Sequence, residues 1–203
     1  MELRWLSSKA PVYMSTNPSD LNPSQLQLLC ATCNHFPQRY PKLAHRPSNS
    51  SRLPEAPPDL DKLRLAISRS AVVVSVFTDS RFNSDGVDNM PLGLGNLLQR
   101  VKVPIPIYSP PRELVGFGRA VSDMGLTASL YDVMVLPSFR RRGIGRMIVR
   151  KILSMLTRRD IYDIAALCSP DQRPFFAACG FGDDILGSVT MMHTDANFSV
   201  SEC

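Results

Sequence analysis

The spacing of hydrophobic positions changes repeatedly in the first half of the chain, and each change predicts a different element. A short alternating run favours a strand at residues 12–16. Apolar residues at helical spacing after an Asn-Pro-Ser start favour a helix at 24–33. The β-branched run at 71–77 is typical of a buried strand. A second helix is predicted from three apolar residues that share one face: Leu60, Leu63 and Ile67.

The second half has a more regular pattern, in which strand-like and helix-like periods alternate. Two long strands flank a turn and are therefore predicted to form a hairpin. Gly116 and Gly118 predict places where a neighbouring element approaches the first of them closely. The predicted elements are strands at 113–122 and 126–137, a helix at about 145–158, a strand at 161–168, a short helix ending at Gly180 and a strand at 187–194. The apolar face of the longer helix is predicted to contain Ile148, Ile152, Met155 and Leu156.

Two segments lack a clear period. Residues 36–58 are rich in Pro, Ser and Arg and predict a loop, whereas residues 79–112 combine glycines and prolines in a long insertion. Long segments of this kind are usually functional lids or disordered insertions, and the composition does not separate the two. At 203 residues, the chain is predicted to form a single domain spanning residues 1–203.

Charge and cysteine content narrow the class of protein. The net charge of +5 favours an anionic partner, and no apolar run is long enough to cross a bilayer, so no membrane partner is expected. An odd number of cysteines predicts reduced thiols and an intracellular location. The first ten residues are too short for a secretory signal or an ordinary transit peptide.

The stretch between the hairpin and the longer helix carries the clearest chemical signal. Gly143 and Gly145 have no side chains, so their backbone N–H groups are open to a ligand, and the helix N-terminus adds a positive partial charge. Such a turn is predicted to bind a phosphate or pyrophosphate. Four arginines add charge and paired donors: Arg140, Arg141, Arg142 and Arg146.

Other interpretations of the same residues are weaker. A dinucleotide-binding loop needs a third glycine where Ile148 stands, and the Gly-Lys-Ser/Thr of nucleotide triphosphatases is absent. The basic stripe lacks the spacing of known nucleic-acid modules, so no specific nucleic-acid partner is expected. Cys30, Cys33 and His35 have only His45 nearby to complete a zinc site, which favours a packed helix and no metal.

Two blocks of sequence resemble the GNAT superfamily of N-acetyltransferases. The stretch VMVLPSFRRRGIGRMIV is similar to the family signature of an apolar strand, V-x-P and R-x-x-G-x-G at the start of a helix. The stretch IYDIAALCSPDQRPFFAACGFG resembles the strand and short helix that follow in the family. Phrases such as LVGFGRAVSD and FFAACGFGDD are similar to the plant plastid branch in particular.

The resemblance implies an α+β fold with a central, mostly antiparallel mixed sheet, splayed at the middle strands and covered by helices on both faces. It also implies an acetyl-CoA-dependent enzyme that acetylates a primary amine in a ternary complex. The acceptor implied is a protein N-terminal α-amine, a lysine ε-amine or an arylalkylamine of the serotonin type. The alternative is a non-catalytic GNAT-like module that binds acetyl-CoA or nucleic acid. Plastid residence is implied, with the cytoplasm as the alternative because no transit segment is visible.

The same resemblance implies the residues of the site. Asp132 is the expected general base, and Tyr131 is a weaker candidate. Phe176 stands where many family members have an acidic tyrosine, so Ser169 is a candidate donor to the leaving thiolate. The residues expected to bind acetyl-CoA are Val133, Met134, Val135, Arg140, Arg141, Arg142, Gly143, Ile144, Gly145, Arg146, Ser169, Gln172 and Phe176.

Overall fold

A computed structural model describes the backbone of residues 3–5 and, with their side chains, residues 11–35, 59–79 and 112–188. The chain divides into two compact units, residues 1–167 and 168–203. The first unit contains β1 (Leu3–Trp5), β2 (Val12–Ser15), α1 (Pro23–Thr32), α2 (Leu60–Ser68), β3 (Val72–Asp79), β4 (Arg112–Ser122), β5 (Thr127–Val135), α3 (Ile144–Thr157) and β6 (Asp163–Ala166). The second unit contains α4 (Arg173–Ala177).

The strands of the first unit form one mixed sheet in the order in which they occur in the chain. Neighbouring strands are antiparallel from β1 to β5, whereas β5 and β6 run parallel. A parallel pair needs a crossover connection, and α3 provides it. The α+β architecture, with a mostly antiparallel mixed sheet, is therefore confirmed.

Helices cover both faces of the sheet. Apolar residues of α1 and α2 form one cluster with residues of β3, β4 and β5, including Phe117 and Met134. On the opposite face, Ile148 of α3 lies against β4 at Gly116 and Gly118. Because it is covered on both sides, β3 is buried along almost its whole length, as its β-branched composition predicts.

The two glycines of β4 lie where the strand and α3 approach most closely. A Cβ atom added at Gly118 would lie 2.6 Å from Cγ2 of Ile148, and one added at Gly116 would lie 3.1 Å from its Cδ1. The prediction of close approach at these glycines is thus confirmed.

A β-bulge interrupts the pairing of β4 and β5. The pairs Phe117–Met134 and Arg119–Tyr131 leave Gly118 opposite two residues, Asp132 and Val133. Asp132 adopts a φ of 55°, in the left-handed region that non-glycine residues seldom occupy. Because of the extra residue, Tyr131 and Asp132 both present their side chains on the face that carries Arg119.

Local signals explain where the helices start. The side chain of Asn22 accepts a hydrogen bond from the N–H of Ser24 at 2.9 Å, immediately before Pro23 opens α1. Asp59 accepts from the N–H of Asp61 at 2.8 Å and caps α2 in the same way. No helix in the described ranges is long and apolar enough to span a bilayer.

In the second unit, a 3-10 turn at Pro170–Gln172 leads directly into α4. The turn that follows the helix reaches Gly180, whose φ is 97°. The N–H of Phe181 returns to the carbonyl of Phe176 at 3.1 Å, which is the hydrogen bond of a glycine-ended helix. The short helix predicted before Gly180 is confirmed.

Most predicted elements of the first unit are confirmed, with bounds that differ by a few residues. β1 was not predicted. Met155 is only half-buried, and Val149 is fully buried instead on the apolar face of α3. The predicted loop at 36–58, most of the insertion at 79–112 and most of the strand at 187–194 lie outside the described residues. The single-domain organisation stays a prediction.

Candidate active site

The edge of β5 opens where β6 leaves it. Parallel pairing ends at Leu130 and Ala166, whereas β5 continues to Val135. No described strand pairs with this last part of β5 on the β6 side. The structure therefore has a splayed pair of strands, with backbone groups along one side of the slot.

Hydrogen-bond alternation decides which backbone groups face the slot. The N–H of Leu136 donates to the carbonyl of Val115 at 2.8 Å, so Val135 itself directs its N–H and C=O away from β4. Val133 shares this direction because it lies two positions earlier in the strand. Met134 points its backbone groups at Phe117 instead, so Val133 and Val135 offer backbone groups to the slot and Met134 does not.

A turn at the end of β5 presents further N–H groups. Gly143 is the N-cap of α3 and has a φ of 82°. The first hydrogen bond inside the helix runs from the N–H of Met147 to the carbonyl of Gly143 at 3.0 Å. The N–H groups of Ile144, Gly145 and Arg146 consequently precede the first internal bond and are available to an anion. The buried Ile144 side chain anchors the turn to the core.

Two of the predicted arginines have internal contacts. Arg140 donates through Nε to the carbonyl of Val135 at 3.0 Å and so ties the turn to the end of β5. The guanidinium of Arg142 lies over the ring of Phe139, 4.8 Å from its centre. All four arginines of the turn are exposed. The donor set of backbone N–H groups and guanidinium groups suits a diphosphate.

A charged cluster lies beside the bulge. One carboxylate oxygen of Asp132 accepts a hydrogen bond from Nε of Arg119 at 2.5 Å, and the other lies 2.9 Å from Nε2 of His35. The side chain of Asp132 is 9% exposed and that of Arg119 is 14% exposed. Arg119 also lies over the ring of Tyr131, 5.3 Å from its centre. A recess with an empty volume of about 210 Å³ is lined in part by Arg119 and Asp132.

The environment of Asp132 stabilises its ionised form. Burial by itself raises the pKa of this carboxyl group, but the hydrogen bond from His35 and the charge of Arg119 outweigh burial. The pKa of Asp132 is therefore lowered from its ordinary value. Asp132 is ionised at neutral pH and has a low affinity for a proton.

His35 reaches the cluster because the chain reverses after α1. Asn34 has a φ of 51°, and the N–H of His35 donates to the carbonyl of Cys30 at 2.9 Å. Asn is one of the residues that adopts this conformation at a helix end. The reversal carries the imidazole back over the sheet to Asp132.

Sequence reasoning did not assign Arg119 or His35 to the active site. His35 was considered only as a zinc ligand, and it lies 97 positions from Asp132 in the chain. Arg119 is directly opposite Tyr131 in the hairpin, so a count of the hairpin register would have found it.

The cysteines of α1 are free thiols. Burial raises the pKa of Cys30 to about 12 and also raises the pKa of Cys33. The thiol of Cys33 donates to the carbonyl of Val135 at 3.4 Å. Among the described residues, no group of three or more His, Cys, Asp or Glu side chains is placed to hold a metal ion.

Three predicted site residues belong to the second unit. Ser169 precedes the 3-10 turn, and its N–H donates to Oε1 of Gln172 at 3.2 Å, so this pair helps to cap the start of the helical segment. Phe176 is buried and meets the ring of Phe181 edge-on at 5.6 Å. The roles of these residues towards acetyl-CoA stay predictions.

Similarity to known proteins agrees with this geometry. Residues 104–181 match the acetyltransferase (GNAT) family. The chain is 44% identical to GCN5-related N-acetyltransferase 3, chloroplastic, of Arabidopsis thaliana, over 96% of this chain and 92% of that protein. The chain belongs to the GNAT family. It is therefore an N-acetyltransferase, and the reaction of the family uses acetyl-CoA and an amine acceptor.

Further relatives are similar over part of the chain or in fold. GCN5-related N-acetyltransferase 2, chloroplastic, of Arabidopsis thaliana is 30% identical over 62% of this chain and 44% of that protein. A probable acetyltransferase of Staphylococcus aureus has a TM-score of 0.57 at 12% identity, covering 91% of this chain and 99% of its own. A GNAT family protein of Streptococcus pneumoniae has a TM-score of 0.53 at 15% identity, covering 91% and 98%. These two structures support the fold.

Proposed function

We propose that this enzyme transfers the acetyl group of acetyl-CoA to a primary amine of a protein, an N-terminal α-amine or a lysine ε-amine. An arylalkylamine of the serotonin type is the alternative acceptor. The single observation that carries the proposal is the open edge of β5 next to the N-terminus of α3. One groove then takes both ends of an extended thioester that carries a diphosphate.

The residues of the groove suit the parts of acetyl-CoA. The N–H groups at the start of α3 and the exposed arginines of the turn bind the diphosphate. The backbone groups of Val133 and Val135 pair with the amide-containing arm, as they would with an added strand. The reacting thioester then lies near the bulge, next to the charged cluster.

The reaction is a direct transfer in a ternary complex. The nitrogen of the amine attacks the carbonyl carbon of the thioester, an N–C bond forms, the C–S bond breaks and the thiolate leaves. One proton of the attacking ammonium or amine must pass to a base. The cluster of Asp132, Arg119 and His35 is the group of titratable side chains at this position.

The names of relatives support a protein acceptor and a plastid location. A partial relative from Glycine max, 32% identical over 36% of this chain and 32% of that protein, is named a histone acetyltransferase. Two Arabidopsis thaliana relatives are named chloroplastic. By this proposal the enzyme works in plastids. A fluorescent fusion made from the full genomic reading frame tests the location, and diffuse cytosolic signal contradicts it.

The acceptor is tested with acetyl-CoA and three probes. They are a lysine-free peptide with a free N-terminus, a peptide with a blocked N-terminus and one lysine, and tryptamine. We expect CoA release together with a mass increase of one acetyl group on at least one of the peptides. Transfer to tryptamine alone supports the alternative acceptor. Intact acetyl-CoA binding without transfer to any probe overturns the proposal and favours a binding module.

A pair of glycine variants tests the groove in the same assay. Gly143→Ala forces a side chain into a φ of 82°, which costs about 1–2 kcal/mol in that conformation and misaligns the N–H donors. We expect weaker acetyl-CoA binding by calorimetry. Gly125→Ala is the matched control, because a Cβ there meets nothing within 4 Å. Equal affinity in both folded variants would contradict the assignment of the turn.

A further inference from the structure

The acceptor amine must lose a proton, and the predicted base is poorly suited to take it. Both carboxylate oxygens of Asp132 already accept hydrogen bonds, one from Arg119 and one from His35. The pKa of Asp132 is also lowered, so a proton gains little by moving there at neutral pH. Another group of the cluster is better placed for the transfer.

The hydrogen bond to Asp132 fixes the tautomer of a neutral His35. An ionised carboxylate only accepts hydrogen bonds, so the proton of the neutral ring lies on Nε2. The lone pair then lies on Nδ1, at the opposite side of the ring from Asp132. With a side chain that is 23% exposed, against 9% for Asp132, His35 is the more accessible of the two.

Resting on the proposed function, we propose that His35 is the general base of acetyl transfer and that Asp132 is its positioning residue. The Nδ1 atom of His35 takes the proton from the attacking amine as the N–C bond forms. The imidazolium that results is stabilised by the Asp132 carboxylate, and Arg119 holds that carboxylate in place. Imidazole is the side chain that in general titrates nearest to neutral pH, which suits a base at that pH.

The surrounding groups leave this role to His35. The backbone of His35 is anchored to the carbonyl of Cys30, so the ring has a defined position at the end of α1. The thiols of Cys30 and Cys33 have raised pKa values because they are buried, and they are neutral at physiological pH. The remaining charged groups that face the ring are Asp132 and, behind it, Arg119.

The test compares the pH dependence of kcat/KM for three proteins with the two peptide probes. In the wild type we expect an acidic limb that is common to both peptides, because it belongs to the enzyme. The limb of the acceptor itself moves between the peptides, from about 7.7–8.0 for an α-amine to about 10.4 for lysine. A wild-type profile that follows only the acceptor amine overturns the proposal without any variant.

His35→Gln keeps an amide N–H near Asp132 but has no basic nitrogen. We expect kcat/KM at neutral pH to fall about 10²–10⁴-fold, with loss of the common acidic limb and unchanged acetyl-CoA affinity by calorimetry. Asp132→Asn should retain the limb and move it to lower pH, because the imidazolium loses its carboxylate partner. His45→Gln is the matched control for the substitution and should keep the wild-type profile.

The outcomes separate this inference from the proposed function. A wild type that transfers acetyl to none of the probes overturns the proposed function. A wild type that transfers, together with a folded His35→Gln variant of equal rate and equal limb, overturns only the role of His35. If Asp132→Asn abolishes the limb and His35→Gln keeps it, Asp132 is the base itself.

Discussion

On the face of the β4–β5 hairpin that meets α3, the contacts are apolar and close. Gly116 and Gly118 admit Ile148 almost to the backbone, and the side chain of Val133 packs beside them. On the opposite face of the same strands, Arg119 and Asp132 form a nearly buried ion pair. The first face stabilises the fold by packing density, and the second holds charge where the reaction is proposed to occur.

One extra residue accounts for much of the difference between the faces. In a regular strand, neighbouring residues point to opposite sides of the sheet. The bulge breaks this rule, so that Tyr131 and Asp132 both lie with Arg119. A sheet can therefore keep a dry face against a helix and still gather polar groups on its other face.

The largest expected effect comes from the charged face. Arg119→Met removes one partner of a nearly buried pair and leaves the Asp132 carboxylate without its closest donor. We expect the free energy of unfolding to fall by about 3–5 kcal/mol, measured by urea denaturation. Arg64→Met is the matched control, because the Arg64–Asp61 pair is 59% and 86% exposed and is expected to contribute about 0–1 kcal/mol. Equal losses in the two variants would contradict the distinction.

The apolar face should respond to a single added methyl group. Gly118→Ala places a Cβ 2.6 Å from Cγ2 of the fully buried Ile148, so the strand or the helix must shift. We expect a loss of about 1–3 kcal/mol in the same measurement, as for other overpacked cores. The matched control is again Gly125→Ala, which has open space. If Gly118→Ala is as stable as its control, the close approach of α3 is wrong.

The smallest effect is a pH dependence confined to the charged face. Because the pKa of Asp132 is lowered by folding, its carboxylate adds stability that is complete above the ordinary aspartate pKa of about 3.9. This stability is lost as the pH falls through the lowered value. We expect the difference in unfolding free energy between the wild type and Asp132→Asn to be largest near neutral pH and to shrink below about pH 4. A difference that grows on acidification would reverse the sign of the shift.

The faces also differ in how well they could be predicted. The glycines of β4 and the apolar spacing of α3 are local signals, so the close packing was expected from a few neighbouring residues. Arg119 and His35 gave no local signal of their partner. Their link to Asp132 depends on a hairpin register, a bulge and the reversal after α1, none of which a periodic pattern contains.

The amino-acid sequence by itself determined the order of most strands and helices and the turn from Arg140 to Arg146. Periodicity, caps and glycine positions act over a few residues, so they are readable without the fold. Only the tertiary structure decided which backbone groups of β5 face the open edge, and that a histidine from α1 meets Asp132. Contacts between residues 97 positions apart depend on how packed elements meet in three dimensions, and burial then sets the charge state of the groups they bring together.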